Sequence, residues 1–157
     1  LEHGQKNFSE GVSVAEYILK EIEEIKIDNP LYAEMLKEFS NEIAKGNIPD
    51  ANFFIRHPQP AISQLAIELL ASPYQLSENW EKHGIFVGDK NLLFKKDIDS
   101  SLIRFKLKKV MKLLTENEAQ LKETKDETAF NSKMKIHQTL MQWKSELSKQ
   151  IGTVVVK

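Results

Sequence analysis

A chain of 157 residues, 41% hydrophobic and 29% charged, fits one ordinary soluble domain or one domain with a small appendage. It has no cysteine, which excludes disulfide frameworks, Cys-based zinc sites and thiol catalysis. Its net charge of −1 hides a split, −6 over residues 1–97 and +5 over 98–157, of the kind that marks an acidic-partner or nucleic-acid surface when it is not simply two solvated helix faces.

The chain opens on "LEHG", with neither a Met nor a signal-peptide pattern. Residues 1–11 read as a flexible or expression-derived end, and the polypeptide as a piece of something longer. Ser13 followed by Glu16 forms a capping box, in which each side chain satisfies a free amide of the first helical turn. Val14, Ile18, Ile22 and Ile25 then lay one apolar stripe along a helix. Asn29-Pro30 opens a second helix, since Asn caps and Pro is tolerated at the first helical position. Leu31, Met35, Leu36, Phe39 and Ile43 follow at helical spacing, and Gly46 is its stop.

Asp50 is placed to cap one or two turns ending near Arg56, and Pro60 opens a further helix with Ile62, Leu65, Ala66, Leu69 and Leu70 on its buried face. Beyond Ser72-Pro73, Ser77 caps a short helix ending at Gly84. "IFVGDK" (85–90) is too short for a sheet strand of its own and reads as a connector. Helix resumes between Lys90 and Ser100 and runs to about Glu123. One stripe is Ile103, Leu107, Val110, Leu114 and Leu121, and a second is Leu102, Phe105 and Leu113. A helix apolar on two sides requires two neighbours or one wide groove. "KETKDETA" (122–129) is a polar turn. A last helix spans about 129–151, with Ile136, Leu140, Trp143, Leu147 and Ile151 as its stripe and Gly152 as its end.

The expected fold class is all-α: a helical bundle over 12–97, a long connecting helix over 98–123, and a second hairpin helix with its tail over 124–157, the last two forming an antiparallel hairpin. No apolar run is long enough to span a bilayer.

Catalytic signals are missing. His3, His57, His83 and His137 stand at no metal-binding spacing, and structural roles suit each of them. No GxSxG, GxxxxGK[ST] or GxGxxG occurs, and the carboxylates form solvated faces such as "KEIEEIK" (20–26). The expectation is therefore a non-enzymatic chain without cofactor or metal. The remaining signal is "SSLIRFKLKKVMKLL" (100–114), with five basic side chains and no acidic one. Arg104, Lys108 and Lys112 are four apart and stack along one face. Aromatics that would stack on bases are not interleaved with them. A scaffold helix ranks first, an acidic protein partner second, nucleic acid third and a membrane surface last.

The succession of "FIRHPQPAISQLAIELLASPYQLSENWEKHGIFV" (54–87), "LIRFKLKKVMKLLTENEAQLK" (102–122) and a closing helix ending "KQIGTVV" (149–155) resembles the C-terminal helicase-binding domain of bacterial replicative DNA primases, nearest to Bacteroidetes-type sequences. The resemblance extends from about Val12 to the end and is carried by packing residues and Pro breaks, not catalytic signatures. It implies a bundle followed by a hairpin that docks the primase onto the N-terminal domains of the hexameric replicative helicase in the bacterial cytoplasm. It also implies that nucleic acid is engaged only through the full-length primase. The family's contact lies mainly in the hairpin, where sequences vary, so the residues here must be inferred physically. Ile136, Leu140, Trp143, Leu147 and Ile151 can close one seam against Leu114 and Leu121, leaving Phe130, Met134 and Met141 over. Aromatic residues and Met are enriched at binding hot spots. The candidate partner-binding residues are Phe130, Met134, Met141, Trp143, Leu147 and Ile151, with Arg104, Lys108 and Lys112 as candidates for electrostatic steering. The alternative is a nucleic-acid-binding helical domain using the basic second half.

Overall fold

The computed structural model describes residues 6–9, 11–71 and 90–154, with side chains over 94–151 in the last stretch. The fold is mainly all-α. It divides into two compact units, Leu1–Phe86 and Val87–Lys157.

The first unit begins with β1 (Asn7–Ser9) and β2 (Val12–Ser13), a short antiparallel pair turned at Gly11, whose φ of +75° suits a residue without Cβ. Part of the segment expected to be a flexible end is thus ordered. Phe8 stacks on Tyr17 with ring centroids 3.8 Å apart, which ties the hairpin to α1 (Val14–Ile22). Alternation over so few residues gives no strand signal, which is why the sequence reading passed it over. The Ser13–Glu16 capping box is present: the Ser13 amide donates to Glu16 Oε2 at 2.8 Å, and the Glu16 amide to Ser13 Oγ at 3.2 Å. The helix ends at Ile22, so Ile25 lies in a following turn and not on the stripe.

In α2 (Pro30–Ala44), Asn29 Oδ1 accepts from the Leu31 and Tyr32 amides. The C-terminal end is a Schellman arrangement: Asn47 N–H reaches the Glu42 carbonyl, Gly46 N–H reaches the Ile43 carbonyl, and Gly46 has φ +84°. Asp50 caps α3 (Ala51–Ile55) through the Phe53 amide, and Pro60 opens α4 (Pro60–Leu70) at its first position. Met35, Phe54, Ile62, Leu65 and Ala66 form the core of this unit, with Leu31, Phe39 and Ile55 packed on it. Phe54 contributes most, stacking near Phe39 and meeting Phe53 edge-on. Leu69, expected on the buried face of α4, is 47% exposed. The face turned to α2 and α3 closes at Ala66, one turn earlier.

The second unit is α5 (Lys90–Glu123) and α6 (Glu127–Val154), packed along one another and joined by a three-residue turn, hence antiparallel. Helix α5 begins eight residues before position 98. Helix α6 runs through Gly152 to Val154, so that glycine does not end it. Asp126 Oδ1 accepts from the Ala129 amide at 2.7 Å, capping α6. Lys133 Nζ reaches back to Thr124 Oγ1 at 3.0 Å across the turn. The short helix expected over 77–84, the connector 85–89 and the tail from Val155 lie outside the described residues. No described helix is long and apolar enough to cross a membrane.

Candidate partner-binding surface of the helical hairpin

The seam of the hairpin follows a 4-3 spacing on both helices. On α5 it takes Ile103, Leu107, Val110, Leu114, Asn117 and Leu121, all buried or half-buried. On α6 it takes Lys133, His137, Leu140, Lys144, Leu147 and Ile151, likewise. This is the heptad register of two helices winding about each other. Val110, Leu114 and Leu140 are its buried core, and Leu147 packs against them.

The α5 stripe read from sequence is the stripe used. The α6 stripe is used in part: Leu140, Leu147 and Ile151 lie at seam positions, and Ile136 and Trp143 do not. Ile136 is 53% exposed and Trp143 50%. Both sit one position before a seam residue. Helix α6 is turned by about 40° from the orientation that apolarity alone favours, less than half of the ~100° between successive residues. Keeping step with Val110 and Leu114 requires a strict 4-3 repeat, which 136-140-143-147-151 does not follow at its end. Lys133 and Lys144 can lie at the edges of a two-helix seam with their stems on apolar surface and their ammonium groups in water.

The candidate residues therefore do not form one surface. Leu147 packs on the core of the seam and Ile151 is half-buried at a seam position, so both serve the hairpin's own packing. Trp143, expected within the seam, lies outside it. Phe130 is 37% exposed near the turn, Met141 is 47% exposed, and Met134 is half-buried. The steering residues separate as well. Positions four apart drift by about 40° per step, and Lys112 pairs with Glu116 at 3.7 Å. Arg104 and Lys108 are exposed and make no ion pair among the described residues.

Two more apolar residues of α5 are exposed: Met111 at 50%, which sequence reasoning did not single out, and Leu113 at 47%, which it placed on a second apolar stripe but not among the partner-binding candidates. The heptad register sorts all of these. In an antiparallel pair, positions just after the seam core on each helix emerge on one side, and positions just before it on the other. Arg104, Met111, Met134 and Met141 share the first side, with Lys108 on its rim. Leu113, Ile136 and Trp143 share the second.

The seam itself contains two unsatisfied polar atoms. Asn117 is 7% exposed, and neither its Oδ1 nor His137 Nδ1 has a hydrogen-bond partner. Such atoms weaken an otherwise apolar seam.

The first unit carries an open cleft of about 770 Å³ lined by Glu38, Glu42, Lys45, Asp50, Arg56 and His57 among others. Its charged groups serve the fold. His57 Nε2 pairs with Glu38 at 2.7 Å, Asp50 caps α3, and Lys45 holds the Glu42 carboxylate, which lowers the pKa of Glu42 below its ordinary value. Among the described residues, no group of His, Asp and Glu is placed to hold a metal ion.

A family model described as "Domain of unknown function (DUF8430)" matches residues 1–154. No curated protein and no solved structure matches the chain. The chain belongs to the DUF8430 family.

Proposed function

We propose that this member of the DUF8430 family is a non-catalytic docking module, by which a bacterial replicative primase engages the N-terminal domains of its hexameric helicase in the cytoplasm. The likeness of residues 54–87, 102–122 and 149–155 to that primase domain motivates the choice of partner. A bundle followed by a hairpin of two long helices agrees with it. The observation that carries a docking role, whatever the partner, is the set of large apolar side chains that the hairpin leaves outside its own seam: Met111, Leu113, Ile136, Met141 and Trp143. Patches of this kind on a two-helix hairpin are completed by a further helix from another surface.

Arg104 and Lys108 also favour a second reading, a helical domain that binds nucleic acid through its basic half. Two cations without interleaved aromatics give a weak and sequence-blind phosphate contact at best. One measurement separates the readings. Labelled cognate helicase N-terminal domain and labelled single-stranded DNA are titrated separately with the full chain at physiological salt. Saturable helicase binding, with an on-rate that falls as salt is raised, is the expected result, because surface charges act mainly on encounter. Tight DNA binding with no helicase binding would overturn the docking reading.

A further inference from the structure

We infer that the methionine face of the hairpin, formed by Met111, Met134 and Met141 with Arg104 and Lys108 at its open end, receives an acidic amphipathic helix of the partner. This deepens the docking reading and rests on it for the partner's identity, though not for the partner's chemistry.

Three of the four methionines of the chain lie on this one face; the fourth, Met35, is in the core of the first unit. Met111 and Met141 are about half exposed, and Met134 is half-buried between them and the turn. Unbranched thioether side chains adapt to an incoming helix and leave a shallow apolar floor, as rigid branched residues do not. Counting along α5 and back along α6, the order from the open end is Arg104, Lys108, Met141, Met111, Met134. From Arg104 to the level of Met134 is about 18 Å, or somewhat over three helical turns. The floor thus fits one short helix lying in the groove between α5 and α6, which would complete a three-helix arrangement.

Charge selects the occupant. At the open end this face presents Arg104 and Lys108, both exposed and without an ion pair among the described residues. Ser100, Ser145 and Ser148 flank them, and the nearest acid on the same row of α5 is Asp97, one heptad or about 10 Å beyond Arg104. The other acids at this register position, Glu118 on α5 and Glu127 on α6, lie towards the turn end. A partner helix with carboxylates on its first or last turn at the open end and aliphatic residues over the methionines is complementary to both features. The opposite face differs: Lys106 and Lys109 on its side of α5 are half-buried and already engaged. Its Leu113, Ile136 and Trp143 give an apolar patch with no open charge to choose a partner by.

The test uses the full chain and two designed helical peptides, one with Leu on one face and Glu on the other, and the same peptide with Lys for Glu. Methyl NMR spectra follow Met111, Met134 and Met141 on one face and Leu113 and Ile136 on the other. The Glu peptide is expected to shift the three methionine methyls, the Lys peptide is not, and R104E/K108E is expected to weaken the Glu peptide by more than about tenfold. R104K/K108R should restore most of the binding. Equal binding of both peptides, binding of neither, or shifts confined to Leu113 and Ile136 would each overturn the inference. So would concentration-dependent self-association abolished by R104E/K108E, which would make a second copy the occupant, or single-stranded DNA shifting the same methyls more tightly than the Glu peptide. Binding of the Glu peptide without binding of the helicase domain would sink the helicase reading alone.

Discussion

His57 Nε2 lies 2.7 Å from Glu38 Oε2, while His57 Nδ1 accepts the Gln59 amide at 3.1 Å. An accepting Nδ1 carries no proton, so the ring is the tautomer that donates from Nε2 to Glu38. The imidazole is only 10% exposed, and it pins the segment between α3 and α4 to α2. His57→Ala removes both hydrogen bonds and should cost about 1–3 kcal/mol in denaturant unfolding. Glu38→Gln keeps an acceptor oxygen and should cost clearly less. Equal losses would show that the contact depends on the charge of the carboxylate and not on acceptance of one hydrogen bond.

The Ser13–Glu16 box makes a pH-dependent prediction. The Ser13 hydroxyl, 2.7 Å from Glu16 Oε2, and the Ser13 amide both donate to the carboxylate and lower its pKa from the ordinary 4.5. A lowered folded-state value contributes stability that is present above pH 4.5 and is lost as the pH falls through the folded-state value. Ser13→Ala should raise the pKa of Glu16 towards the ordinary value without reaching it, since the backbone amide remains. A carboxyl NMR titration reads this directly. The lost cap should also cost about 0.5–2 kcal/mol near neutral pH. An unchanged Glu16 titration in the variant would remove the hydroxyl as the cause.

Local chemistry explains why so much of the first unit was legible. Asn29-Pro30, Asp50 and Pro60 act within three or four residues of themselves, so their caps could be read before any tertiary contact was known. The orientation of α6 could not be. It depends on which of two stripes only about 40° apart keeps step with α5, and that is a property of the pair. Ile136 and Trp143 made the wrong stripe the more apolar one, and Lys133, His137 and Lys144 made the right one look like a solvated face. The β1–β2 pair was hidden for a different reason, since its ordering rests on Phe8 meeting Tyr17 and not on any strand pattern.

Two alanine substitutions check that orientation. Leu140 is 5% exposed in the seam, and truncating it should cost about 2–5 kcal/mol. Trp143→Ala removes a larger side chain, half of it already in water, and should cost much less. The measurement is amide hydrogen exchange of α5 and α6 in the full chain, which reports opening of the hairpin apart from the first unit. A Trp143→Ala loss as large as that of Leu140→Ala would return Trp143 to the seam.

Asn117 gives the last prediction. It occupies a seam position with its side chain buried and its Oδ1 unsatisfied. Replacing such a group by an apolar one of similar shape removes a desolvation cost of about 1–3 kcal/mol, so Asn117→Leu should slow hydrogen exchange across α5 and α6. What the Asn contributes in return is register. An apolar seam tolerates a shift by one heptad, whereas a buried amide is tolerated only where it disturbs least. The Leu variant should therefore combine greater protection with broader or doubled methyl signals for Leu114 and Leu140, the mark of a second pairing. Greater protection with single sharp signals would leave Asn117 a cost without a role in register. Lower protection would mean that its amide makes a hydrogen bond in solution.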